Sequence, residues 1–153
     1  MSSNPVEGTG AKSGSANGHG IAERMGLRPD MIVMEIGYDD DVDENLRELI
    51  EECTGEELLE PDSDEVVDVV LLWFRDGDDD LADALVDAIA PLADNGFIWL
   101  LTPKRGHEYY VEPADIAEAA AIAGLSQTSV TPLGPDWSGT RLVGRKSGSG
   151  AKK

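Results

Sequence analysis

Three short clusters hold the residues best able to do chemistry: Gly37-Tyr38-Asp39, Trp73-Phe74-Arg75-Asp76 and Thr102-Pro103-Lys104. Arg75 and Lys104 are rare cations in an acidic chain, and two of them close to Trp73 could hold an anionic or aromatic ligand through charge and ring stacking. The simpler expectation is that both pair with the many aspartates around them.

Other chemistry has less behind it. Asp76-Gly77-Asp78-Asp79-Asp80 is spaced like the start of a calcium loop and Asp87 falls at its twelfth position, but Leu81 stands where such a loop requires Gly and a helix begins at once. Helix capping is the expected role of these carboxylates. His19 and His107 are too far apart for a zinc pair, so no metal is expected. Ser126, Ser129 and Ser138 have no recognisable His and Asp partners, and Ser138 sits in a Gly-rich hairpin tip rather than a nucleophile elbow. Cys53 is the only cysteine, which excludes an internal disulfide. It continues the spacing Val42, Leu46, Leu49, Ile50 on the buried face of a helix, with no cation near it to activate the thiol. Trp137, in Asp136-Trp137-Ser138-Gly139, is costly to expose and is expected to fold over the sheet edge, the other outcome being a partner that covers it.

The elements that position these residues follow from the apolar pattern. Ile21 to Leu27 reads as a short helix packing Ile21, Met25 and Leu27 inward. Met31 to Gly37 is a nearly unbroken apolar run, as expected of a strand covered on both faces. Asp39, Asp40, Asp41 and Asp43 stand where they would cap a helix running from about Val42 to Cys53. A short strand around Leu58-Leu59 follows, then the β-branched strand Val66 to Phe74, expected to be central. Apolar residues recur at helical spacing from Leu81 to Leu92, and Pro91 with Asn95-Gly96 should end that helix before the strand Phe97 to Thr102. A strand, a helix and another strand make a right-handed parallel crossover, so the class is α/β. A helix over Pro113 to Ala123, stopped by Gly124, precedes Thr128 to Pro132 and Thr140 to Arg145, an antiparallel hairpin joined through Gly134 to Gly139.

Organisation and charge narrow the function. Residues 1–20 and 147–153 are Ser-, Gly- and Ala-rich and read as disordered tails around one domain, 21–146, with no repeat and no second domain. There is no secretory signal and no membrane-length apolar run, so a cytoplasmic location is expected. The formal charge is −19, and 23 of the 31 Asp and Glu lie between Glu35 and Asp94, where Arg47 and Arg75 are the only cations. Such a surface disfavours direct binding to nucleic acid or to anionic membranes. It keeps the protein soluble, or else it docks a basic protein partner.

The run from Asp68 through Trp73-Phe74, the stretch Leu85 to Gly96 and the stretch Phe97 to Lys104, followed by the closing hairpin, resembles the middle of a class I S-adenosylmethionine-dependent methyltransferase. More closely, the stretch from Ala22 through Val143 resembles a family of small bacterial proteins, well represented in actinobacteria and classed as a domain of unknown function, DUF3052. The first resemblance implies a Rossmann-type sandwich, mostly parallel and ending in an antiparallel hairpin. Those enzymes usually place a Gly-rich turn after the first strand, whereas only Gly37 is present here, followed by Tyr38 and carboxylates. They also use an acid at the end of the second strand to hold the ribose, a place that Glu60 or Asp62 could take.

Ligands of open parallel sheets bind beyond the carboxyl ends of the strands. The candidate edge is therefore Gly37, Tyr38, Asp39, Glu60, Trp73, Arg75, Asp76, Lys104 and Trp137. The expectation is a non-catalytic, methyltransferase-like binding or regulatory module with no cofactor and with a protein partner. The competing expectation is an enzyme binding S-adenosylmethionine through an atypical first turn, with Asp39 and Glu60 as polar contacts and Trp73 to Asp76 at the reaction centre.

Overall fold

Over residues 20–78 and 80–144, which the computed structural model describes, helices and strands alternate as the apolar pattern requires. The tails, apart from Gly20, lie outside the described residues, as do His19, Asp79 and Arg145. After a helical turn over residues 20–24 come β1 (Val33–Ile36), α1 (Glu44–Thr54), β2 (Val67–Trp73), α2 (Leu81–Ile89), β3 (Leu92–Pro103), α3 (Pro113–Ala123), β4 (Leu125–Pro132) and β5 (Trp137–Gly144).

The sheet order is β1-β2-β3-β5-β4. The β1–β2 and β2–β3 ladders are parallel, and β5 runs antiparallel to both β3 and β4. The β-branched run is therefore central on the parallel side, with helices on both faces, and the class is α/β. Alternation along β2 divides the core: Val70 and Leu72 face α2 and α3, while Val69, Leu71 and Trp73 face α1 and the segment holding Ala22, Met25 and Leu27.

The boundaries differ from expectation where a side chain or a proline intervenes. β1 begins at Val33 rather than Met31 because the Asp68 carboxylate takes the Ile32 N–H at 2.8 Å, in place of a ladder bond. The strand around Leu58-Leu59 shrinks to one parallel bridge, Met34 with Leu59, which stops ahead of Pro61. α1 starts at Glu44 rather than Val42. Among the four aspartates ahead of it, Asp43 alone caps, accepting from Leu46 N at 3.0 Å. α2 ends at Ile89, just ahead of Pro91, which has no N–H to continue it. Asn95 and Gly96, expected to stop the helix, instead lie in a bulge of residues 93–96 within β3, between the pairs Val67–Leu92 and Val69–Phe97. Gly139, expected in the hairpin loop, lies in β5 opposite Leu101, because Leu133 and Trp99 occupy the space a side chain there would need. Thus the hairpin loop is shorter than expected, covering residues 133–136.

The Cys53 sulfur is half-buried, 3.6 Å from the Leu27 carbonyl, and burial pushes its thiol pKa up, consistent with packing rather than nucleophilic chemistry. Asp80 occupies the N-cap position of α2 without a side-chain hydrogen bond, so among the described residues the expected capping of this helix by Asp80 does not occur. Asp78 instead accepts from the backbone N–H of Arg75 at 3.0 Å.

Candidate functional site

After β1 the chain passes through α1 to Leu59 on one side of that strand, then returns to form β2 on its other side. This change of direction places the crevice expected of an open α/β sheet between the carboxyl ends of β1 and β2. Gly37 ends β1 with φ of +86°, a conformation that favours glycine, and a side chain there would collide with the Trp73 carbonyl oxygen.

Arg75 spans this crevice. Its guanidinium donates to the Gly37 carbonyl at 3.0 Å and forks onto Asp41 with bonds of 2.9 and 2.6 Å. Asp78 lies 3.7 Å away on the other side. The hydrogen-bonded guanidinium holds the Asp41 carboxyl below its usual pKa, and Asp41 in turn raises that of Arg75. Trp137 closes the top, being only 3% exposed. Its ring meets Trp73 edge-on at 4.8 Å, its indole N–H donates to the Asp41 carbonyl at 3.2 Å, and Arg75 lies 5.5 Å from its ring centroid. Trp137 is thus packed over the sheet edge.

A second arginine braces the layer beneath. Glu35 is buried on the same face as Trp73, and Arg47 grips it with bonds of 2.7 and 2.9 Å. The Trp73 indole N–H adds a third bond to that carboxylate at 2.9 Å. Arg47 also bonds Glu44 at 2.8 Å and lies 4.6 Å from the Tyr38 ring centroid, while the Tyr38 hydroxyl donates to Glu44 at 2.7 Å. That hydrogen bond raises the Tyr38 pKa and lowers that of Glu44.

The structure therefore brings together Gly37, Tyr38, Trp73, Arg75 and Trp137. Asp39 is exposed beside them, its carboxylate accepting from the Asp40 N–H at 2.8 Å. Glu60 is exposed just beyond the Leu59 bridge, on the far side of β1. Asp76 and Lys104 face elsewhere: Asp76 lines a cleft beneath α2 and α3, and Lys104 lines one beside the hairpin. Sequence reasoning missed Glu35, Asp41 and Arg47. Glu35 could have been found as the one charged residue in an otherwise apolar strand, a place where a carboxylate requires a partner. Among the described residues no group of three or more His, Cys, Asp or Glu could hold a metal ion, and no helix is long and apolar enough to cross a membrane.

A family described as "Protein of unknown function (DUF3052)" matches residues 22–146. The chain belongs to this family. Uncharacterised proteins of Mycobacterium bovis and Mycobacterium tuberculosis are each 50% identical to it over 150 residues, covering 97% of this chain and 94% of theirs. This DUF3052 member also shares its fold with solved methyltransferases. A TehB-like S-adenosylmethionine-dependent methyltransferase from Corynebacterium glutamicum superposes with a TM-score of 0.54 at 12% identity, covering 83% of this chain and 87% of that one. A ribosomal protein L11 methylase from Lactobacillus delbrueckii subsp. bulgaricus gives 0.52 at 13% identity, covering 91% and 81%. The methyltransferase-like sandwich is thereby established as the fold of this DUF3052 member.

Proposed function

We propose that this DUF3052 protein is a non-catalytic binding module on a methyltransferase-like scaffold. The observation that carries this reading is the Arg75 guanidinium lying between Gly37 and Asp41 across the crevice where strand order reverses, with Trp137 packed over it. A cofactor entering there would have to break a two-pronged ion pair and lift a buried indole, without a Gly-rich turn to replace those bonds with backbone N–H groups.

Calorimetric titration of the full chain with S-adenosylmethionine and S-adenosylhomocysteine tests it. No saturable heat at millimolar ligand is expected. A micromolar isotherm that disappears in Asp39→Ala and Glu60→Ala would overturn the reading and make the protein an enzyme candidate.

A further inference from the structure

In a chain with 31 acidic residues, the cleft between the end of β3, the start of α3 and the β4–β5 hairpin is lined by no carboxylate. Its volume is about 440 Å³, within the range of small-molecule sites. Lys104 and Arg105 line it, and among the described residues neither forms an ion pair, in contrast to Arg47 and Arg75. Arg105 lies 5.5 Å from the centroid of Tyr110, which also borders the space.

The deeper wall presents hydroxyl groups. Thr102 and Thr140 are each only 3% exposed and both line the cleft. They belong to the face shared with Leu100, which pairs with Thr140, while Thr102 pairs with Ser138. Among the described residues neither threonine hydroxyl has a hydrogen-bond partner, an unfavourable state for a buried polar group. α3 adds its first turn. Pro113 and Ile116 reach the cleft, and Glu112 at the N-cap makes no side-chain hydrogen bond, so the first backbone N–H groups of α3 have no side-chain cap, although Asp115 adds a negative charge to that turn. Val111, Ile116 and Val130 make much of the remaining lining apolar.

We propose that this cleft binds a small organic carboxylate with an apolar, ring-sized body. The carboxylate lies toward Lys104, Arg105 and the start of α3, and the body rests against Val111, Ile116 and Val130. A bare inorganic anion would leave that apolar wall unused, and a neutral ligand would leave both cations without a counter-charge. This assignment gives the binding module a ligand class and rests on that reading only for its role, since the cleft is separate from the crevice beneath Trp137.

Amide shifts of the ¹⁵N-labelled full chain, titrated with benzoate, benzamide and inorganic phosphate, test the proposal. Benzoate is expected to move Thr102, Lys104, Val111, Ser138 and Thr140 saturably, with benzamide and phosphate much weaker. The double variant Lys104→Ala/Arg105→Ala, which alters partly or fully exposed side chains, should keep the native spectrum and weaken benzoate by about tenfold or more. No saturable shift with benzoate, an equal response to benzamide or phosphate, or undiminished affinity in the double variant would overturn it. Failure of the non-catalytic reading would register elsewhere, as S-adenosylmethionine shifts at Gly37 to Asp41.

Discussion

At the β1–β2 corner, Arg47 and Arg75 are each forked onto a carboxylate and held against an aromatic ring, whereas at the β3–hairpin corner Lys104 and Arg105 border open space without an ion pair among the described residues. Both corners lie at the carboxyl ends of strands in one sheet. The difference originates in the segments that follow those strands. The turn after β1 supplies Asp39, Asp41, Asp43 and Glu44 within six residues, so any cation reaching it is neutralised. The cleft at the end of β3 is built from threonines, prolines and β-branched residues, which offer a cation no counter-charge. Among the described residues only Arg47 and Arg75 of the lysines and arginines form ion pairs, so what distinguishes Lys104 and Arg105 is that both border one cleft free of carboxylates.

The first way to break this comparison is to remove the cover of the closed corner. Trp137→Ala deletes a buried indole packed on Trp73 and should cost about 3–5 kcal/mol of stability by denaturant unfolding. A loss below about 1 kcal/mol would mean that the indole is not structural cover, and the corner would be open after all. Arg47→Leu comes next. It leaves Glu35 buried with only the Trp73 indole as partner, and breaking a buried pair costs about 3–5 kcal/mol. Because the Arg47 side chain is 24% exposed, water relieves part of this, and about 2–3 kcal/mol is expected. Adding Glu35→Leu should recover much of that loss, since no unpaired charge then remains.

Asp41→Asn sharpens the comparison through pH. Arg75 lowers the folded-state pKa of Asp41, so the stabilisation is fully present above the unfolded carboxylate value of about 3.9 and is lost as pH falls through the lower folded value. The pair is half-exposed on the Asp41 side, and about 0.5–1 kcal/mol is expected near neutrality. Wild type and Asp41→Asn should therefore differ by a constant amount above the unfolded carboxylate value of about 3.9 and converge once pH has fallen below the lowered folded-state value. A gap that persisted in acid would assign the effect to the turn's shape rather than to the charge pair.

How far the sequence reveals these two corners depends on how local the cause is. β2 is readable from its β-branched run, and α3 from Pro113 at its start and Gly124 just past its end, because backbone preferences act over a few residues. Arg75 could be singled out as a rare cation, but Asp41 and Asp43 look alike in sequence. Only the turn at Gly37 sends one to the arginine and the other to the helix N-cap. Gly139 misled for a related reason: glycine marks a turn as often as it marks close packing, and here Leu133 and Trp99 press on it. The cleft beside the hairpin was not readable at all beyond Lys104. Its walls come from β3, α3 and both hairpin strands, and the register that sets Thr102 opposite Ser138 is a long-range pairing with no local signal.

The smallest expected effect is the one that most directly separates the corners. Lys104→Ala and Arg105→Ala remove cations with no ion pair among the described residues, so each should change stability by no more than about 0.5 kcal/mol. A slight gain is the wrong direction for these variants, because removing positive charge from a chain of formal charge −19 adds to its self-repulsion. Any loss should therefore be long-range in character and fade as salt rises. Unfolding curves at low and high salt distinguish the cases: a loss above about 1 kcal/mol that salt does not diminish would mean that these side chains are packed into the structure rather than bordering open space, and the hairpin corner would then be closed like the crevice under Trp137.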